Sequence, residues 1–301
     1  MTSDALGDFP YTHDGQEFAE MRRLLADSNA AAGWPLNWTF ARLDNWRYAS
    51  WDRTDDEFRQ LAHLWRDGGR LVGFTILEGP DDWLTLQVRP EARDVEPAML
   101  DWAEAHFRGK RAELALICAD DDRRRMALLA TRGYTDRGPA ENTRAYDPTW
   151  LRDRVTLPPG YTLSDLATFT DSAAYCQLER VAFNNDYIDA NWFRGKTAAP
   201  GYDPWLHVIV LSPEGAPVAV AHGWADAATG TAEVDPVATH PDHRRRGLAQ
   251  AAILEAFRRL AARGVGTTWI SSGPEPNPSN LLYESLTPTH TWRYRRWARP
   301  L

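Results

Sequence analysis

The stretch Glu233-Val-Asp-Pro-Val-Ala-Thr239, continued by His240-Pro-Asp-His-Arg-Arg-Arg-Gly-Leu-Ala249, decides how the chain folds. Its first seven residues read as a strand that stops before Pro241. After Gly247 the period changes. Ala249, Ala252, Ile253, Ala256, Phe257 and Leu260 recur at three- and four-residue spacing, the mark of an amphipathic helix. Gly264 follows the last apolar position, where a helix commonly ends. The turn between strand and helix suits an anion. Free N–H groups at a helix start sit at the positive end of its dipole, and a glycine there leaves the backbone open to close approach. Arg244, Arg245 and Arg246 add positive charge around it.

An isolated Arg-x-x-Gly is equally a solvated turn. In the order strand, Pro241, arginines, Gly-Leu-Ala and helix, however, it resembles the GNAT acyltransferase superfamily, whose [QR]-x-x-G-x-[GA] signature is met by Arg244-x-x-Gly247-x-Ala249. The resemblance implies an α/β fold with a mixed, mostly antiparallel sheet flanked by helices, and acetyl-CoA as acyl donor. It also implies that the backbone of Arg244, Arg245, Arg246, Gly247, Leu248 and Ala249 holds the pyrophosphate, while Val237, Ala238 and Thr239 face the pantetheine arm. The segment Asn277-Pro-Ser-Asn-Leu-Leu-Tyr283-Glu-Ser-Leu286 is similar to the family's N-P-x-x-x-L-Y-E-x-L pattern. By that resemblance Tyr283 is the acid that protonates the departing thiolate and Asn277 a contact to the cofactor arm. Thr287-Pro288 stands where the family usually has Gly-Phe, so the helix end and the next strand are expected to be rearranged.

The acceptor amine must lose a proton to attack. Glu233 and Asp235, two residues apart on the motif strand, fall on one face and are the candidate bases, although an edge carboxylate paired with an arginine fits the same spacing. His222 on the neighbouring strand is a third candidate and is read first as structural. No cluster of His, Cys and carboxylate has metal-site spacing, so no metal is expected.

The first half repeats the second. Pro90 aligns with Pro241 at a shift of 151 residues, whereas Ala98-Met99-Leu100 aligns with Ala252-Ile253-Leu254, and Leu128-Leu129 with Leu282-Tyr283, at a shift of 154. The missing three residues fall in the phosphate turn. There the first half has Glu91-Ala-Arg-Asp-Val-Glu-Pro97, with three carboxylates and no glycine. Carboxylates at a helix start satisfy its N–H groups and repel pyrophosphate. Leu129 stands where Tyr283 is, without a proton to give. The reading is two tandem GNAT-like domains, residues 1–148 degenerate and 149–301 catalytic, a plan similar to mycothiol synthase.

Smaller elements are expected as helices at 16–26, 95–107, 123–132, 172–183 and 279–286, and as strands at 57–64, 71–77, 83–88, 113–118, 161–163, 205–211, 217–226 and 268–272. The aromatic stretch 34–51 has no clear period, 147–160 reads as a linker, and 184–204 as a long loop with room for helical turns, of the kind that is usually functional.

Composition narrows the function. A net charge of −8 over 301 residues argues against nucleic acid or an anionic membrane as partner and favours a cationic acceptor. The N-terminus lacks the basic and apolar regions of a signal peptide, no apolar run nears membrane length, and Cys118 and Cys176 read as buried thiols, so a cytoplasmic protein is expected. Fourteen tryptophans are expected to pack a core or a domain interface. The function expected is acetyl-CoA-dependent transfer to the primary amine of a small molecule, by a monomer or homodimer. A CoA-binding scaffold or sensor, a longer acyl-CoA and a peptide amine stay open.

Overall fold

The computed structural model describes residues 6–50, 52–78, 83–150 and 156–301. The first half runs β1 (Gly7–Pro10), α1 (Gly15–Ala32), α2 (Phe40–Tyr48), α3 (Asp55–Leu61), β2 (Ala62–Asp67), β3 (Arg70–Glu78), β4 (Trp83–Val88), α4 (Glu96–Phe107), β5 (Glu113–Ala119), α5 (Arg123–Thr131) and β6 (Thr135–Tyr146). The second runs β7 (Thr162–Asp165), α6 (Ser172–Phe183), α7 (Ala190–Thr197), β8 (His207–Leu211), β9 (Pro217–Asp226), β10 (Thr231–Thr239), α8 (Leu248–Ala262), β11 (Thr267–Ser272), α9 (Pro278–Ser285) and β12 (His290–Pro300). The order β4-α4-β5-α5-β6 recurs as β10-α8-β11-α9-β12, so the repeat read from the sequence is present in the fold.

The expected mixed, mostly antiparallel sheet is found, but the halves share it. The twelve strands among the described residues form one sheet in the order β1-β2-β3-β4-β5-β12-β6-β11-β10-β9-β8-β7. Only β4 with β5 and β10 with β11 pair in parallel. Each half places its last strand beside the other half's parallel pair: β12 pairs with β5, β6 with β11, and the two pair with each other from His290↔Ala145 to Ala298↔Thr135.

Several expectations change. The strand expected at 57–64 is helix α3 followed by β2, because Thr54 and Glu57 form a reciprocal capping box and three acidic residues complement the helix dipole. The unassigned stretch 34–51 contains α2, capped by the Thr39 hydroxyl, which accepts the Arg42 N–H. In the loop 184–204 the helical turns the sequence allowed are present as α7, capped by Asp189. Residues 151–155 of the expected linker, and Trp51, lie outside the described residues. After α9, Thr287 takes a left-handed φ of 52° and the chain turns into β12, where the sequence departs from the family pattern.

Five apolar clusters lie among the described residues, and the three largest organise the molecule. One lies beneath α8, with Ile253, Phe257 and Leu260 against β8–β10; a second packs α4 on β3–β5. The third, around α1 and α2, takes in Ala199 and Trp224 from the second half, so tryptophan does pack the junction as expected. Cys118 and Cys176 are buried. Trp150 is an exception, 60% exposed. Among the described residues no helix is long and apolar enough to cross a membrane.

Because β6 pairs only with β11 and β12 of the second half, and β12 only with β5 and β6 of the first, residues 1–148 and 149–301 expressed separately should be poorly soluble and should form the native sheet only on co-expression. Co-purification and far-UV circular dichroism test this, and two independently folded, monodisperse halves would contradict it.

Candidate active site

The second half contains a wedge in the sheet. β10 and β11 pair only from Thr231↔Thr267 to Glu233↔Trp269. Beyond that point β10 stays with β9 as far as Thr239↔Ala219, and β11 stays with β6 as far as Ser272↔Asn142. The register of β10 shifts between Val234 and Val237, at a bulge containing Pro236, which has no N–H to give a ladder. The two strands part, leaving a free backbone edge on β10.

A cavity of about 780 Å³ fills this wedge. Val237, Ala238 and Thr239 line one wall, Asn277 and Tyr283 another, and Arg244, Arg245, Gly247, Leu248 and Ala249 its mouth. The sequence motif thus comes together in space, apart from one side chain. Arg246 turns away: its guanidinium donates to the Tyr161 hydroxyl at 2.9 Å and to the Asp242 carbonyl at 3.2 Å. Arg244 is partly occupied as well, donating to the Thr239 and Ala182 carbonyls at 3.2 Å, so it fixes the turn that precedes α8. Gly247 at φ 77° and Arg245 at φ 61° bend the chain, and the first turn of α8 has no side-chain cap. Its N–H groups therefore face the cavity mouth without a competing acceptor from the cap position. Asn277 caps α9: its side-chain oxygen accepts the Ser279 N–H at 3.0 Å.

Tyr283 is held by the exchanged strand β6. The Tyr146 hydroxyl donates to the Tyr283 carbonyl at 3.0 Å, and the Arg144 guanidinium lies 5.9 Å from the Tyr283 ring while pairing with Glu284 at 2.7 Å. Burial, then the nearby Asp235 charge, push the Tyr283 hydroxyl above its ordinary range, partly offset by Arg144, so it stays protonated at neutral pH.

A second cavity of about 500 Å³ adjoins the first, and the two share Asp235, Ser271 and Ser272. Half of its wall comes from the first half of the chain, including Arg42, Asn45, Trp46 and Arg53; Tyr187, Trp192 and Glu233 face them. Sequence reasoning missed these first-half residues, because nothing local in the period-free stretch 34–51 says what α2 will face. Its density of tryptophan was the available signal. Arg42 pairs with Glu78 at 3.0 Å and Glu141 at 3.1 Å, and the Asn45 amide donates to Asp235 at 3.4 Å. Glu233 and Asp235 both line this cavity, as the two-residue spacing expected. Burial, followed by repulsion from Asp235, raises the Glu233 carboxyl to about 8, against the Thr39 hydrogen bond and the Arg42 charge, which favour ionisation. A carboxyl that titrates near neutral pH is suited to taking a proton. His222 is buried and stacks on His207 at 3.9 Å, and burial, followed by the charges of His207 and Lys196, keeps it well below the ordinary histidine range.

The corresponding place in the first half is filled. Arg125, fully buried, donates to Glu96 at 3.0 Å and to the Leu86 carbonyl at 3.0 Å, while Arg93 donates to Glu96 at 2.7 Å and to Asp122 at 2.8 Å. The carboxylates do not cap α4, as the sequence suggested, since a 3₁₀ turn runs straight into the helix and takes up the Glu96 N–H. Glu96 and Asp122 instead neutralise arginines, and Glu91 and Asp94 pair with Arg70 and Arg124 at the surface.

Residues 173–286 match the family model described as Acetyltransferase (GNAT) family. Curated protein sequences give no match. Among solved structures, the chain is similar to a tandem GNAT protein from the clavulanic acid biosynthesis pathway (TM-score 0.68, 19% identity, 98% of each chain covered). It is also similar to a GCN5-related N-acetyltransferase from Sphaerobacter thermophilus (TM-score 0.66, 18% identity, 98% of this chain and 95% of that one). At these identities the likeness is one of fold.

Two outcomes follow from the geometry. Gly247→Ala forces a side chain to φ 77° and should cost about 1–2 kcal/mol in urea unfolding; no loss would mean the turn is not held in that conformation. The folded Glu233 pKa of about 8 lies above the ordinary 4.5, so this group withdraws stability as pH rises between those values. Glu233→Gln should therefore gain in Tm over the parent from pH 5 to pH 8, and a pH-independent difference would contradict the assignment.

Proposed function

We propose that this chain, whose residues 173–286 match the acetyltransferase (GNAT) family model, is an acyltransferase that moves the acetyl group of acetyl-CoA to a small primary amine in its second half. The observation that carries the proposal is the pair of cavities meeting at Asp235, Ser271 and Ser272, one bordered by an open helix start and the other by carboxylates. Acetyl-CoA fits the first cavity: its pyrophosphate meets the N–H groups around Gly247, with Arg245 alongside, and its amide-rich arm meets the free edge of β10 at Val237–Thr239. The acceptor fits the second, where Glu233 and Asp235 favour an ammonium group and Trp46, Trp192 and Tyr187 offer ring faces.

In the reaction, the acceptor ammonium gives a proton to the Glu233–Asp235 pair, and the neutral nitrogen attacks the thioester carbonyl carbon. The new C–N bond forms as the C–S bond breaks, the leaving sulfur takes its proton from the Tyr283 hydroxyl, and the proton that the nitrogen sheds on becoming an amide returns through solvent to the tyrosinate. Burial raises the basicity of the departing thiolate as it raises that of tyrosine, which keeps the transfer feasible. The first half has no counterpart: Arg125 and Glu96 occupy its groove, and Leu129 replaces the tyrosine.

Calorimetry with acetyl-CoA, followed by thiol-release assays over an amine panel, tests the proposal. Binding without thiol release across the panel would favour a CoA-binding scaffold. Tyr283→Phe should lower kcat at least tenfold with acetyl-CoA affinity nearly unchanged, and equal turnover would remove Tyr283 as the acid. Gly247→Glu places a carboxylate at the phosphate amides and should abolish acetyl-CoA binding; unchanged affinity would reject the loop assignment.

A further inference from the structure

We infer that the half of the chain without a cofactor groove contributes a working part of the active site: Thr39, at the start of α2, is the positioning residue for Glu233. The inference rests on the reading of Glu233 as a base, but its geometry does not. Thr39 and Glu233 are 194 residues apart in sequence, and the Thr39 hydroxyl donates to the Glu233 carboxylate. The same oxygen accepts the Arg42 N–H at 3.2 Å, so a single hydroxyl caps α2 and grips the carboxylate. Both residues are buried, Thr39 4% and Glu233 6% exposed. A buried carboxylate with one fixed donor is restricted in rotation, which orients its other oxygen.

Charged groups surround the pair on every side. Asp235 lies two residues along β10, Arg42 comes from α2, Glu141 from β6 and Glu78 from β3, and the two glutamates hold Arg42 between them. Arg42 and Thr39 favour the ionised form of Glu233; burial, Asp235 and Glu141 oppose it. Most of these groups belong to the first half. Loss of its own cofactor groove would then leave that half selected for what α2 brings to the other half's site.

The test reads Glu233 directly and needs no acceptor. Carboxyl-13C glutamate labelling, with the Glu233 signal assigned by its loss in Glu233→Gln, gives the titration midpoint in the parent, Thr39→Val and Thr39→Ser proteins. Thr39→Val removes a donor to the charged form and should move the midpoint up by about one pH unit. Thr39→Ser keeps donor and cap and should restore it to within a few tenths of a unit. Acetyl-CoA affinity, measured alongside, should stay within about twofold in both, which also shows that the second half is folded. An unmoved midpoint in Thr39→Val, or an equal shift in Thr39→Ser, would overturn the inference. A shifted midpoint together with full activity in Glu233→Gln would instead remove Glu233 as the base and leave the Thr39 coupling standing.

Discussion

The ladder between β6 and β12 is the constraint on which the rest of the structure depends. It lies at the centre of the sheet, and each of its strands also pairs with the other half's fifth or eleventh strand. Two repeats that could each have closed a sheet therefore close only together. One consequence is chemical. Because β6 lies next to β11, Arg144 and Tyr146 reach beneath α9 and hold the Tyr283 turn, although they belong to the first half. Another is architectural, since the shared sheet fixes α2 against the face of β10.

That junction is polar as well as apolar. Trp224 sits in the core of the first half while its indole N–H donates to the Asp235 carbonyl at 2.7 Å. Gly201 donates its N–H to Asp44, which also pairs with Arg22. Gly195 packs so closely on the Tyr48 carbonyl that a Cβ there would lie 2.0 Å from it. Contacts of this kind leave little freedom for α2 to slide, and the cavity lined by Arg42, Asn45 and Trp46 keeps a defined shape.

The two halves show what one fold does with one groove in two ways. In the second, a bulge and a left-handed glycine keep the wedge and the helix start open to a ligand. In the first, buried Glu96, Asp122 and Arg125 with partly exposed Arg93 close it. Buried ion pairs add little net stability against apolar packing, but removing one partner is costly, so such a plug is hard to lose by single substitutions.

The sequence by itself determined a good deal. The period change at Gly247, the repeat and the spacing of Tyr283 from Asn277 are local patterns, and they specified the motif strand, the helix after it and most elements, though not β1, β6 or β12, because strand and helix periods are written into contiguous residues. Local capping chemistry at Thr54 and Glu57 was equally present but yielded to a mistaken strand pattern. What only the tertiary structure decided was pairing at long range: which strand follows β5, where α2 lies, that Arg246 turns to Tyr161, and that Thr39 meets Glu233. None of these is visible in one sequence, since a side chain's partner across 194 residues depends on how the sheet closes, and no local propensity encodes that choice.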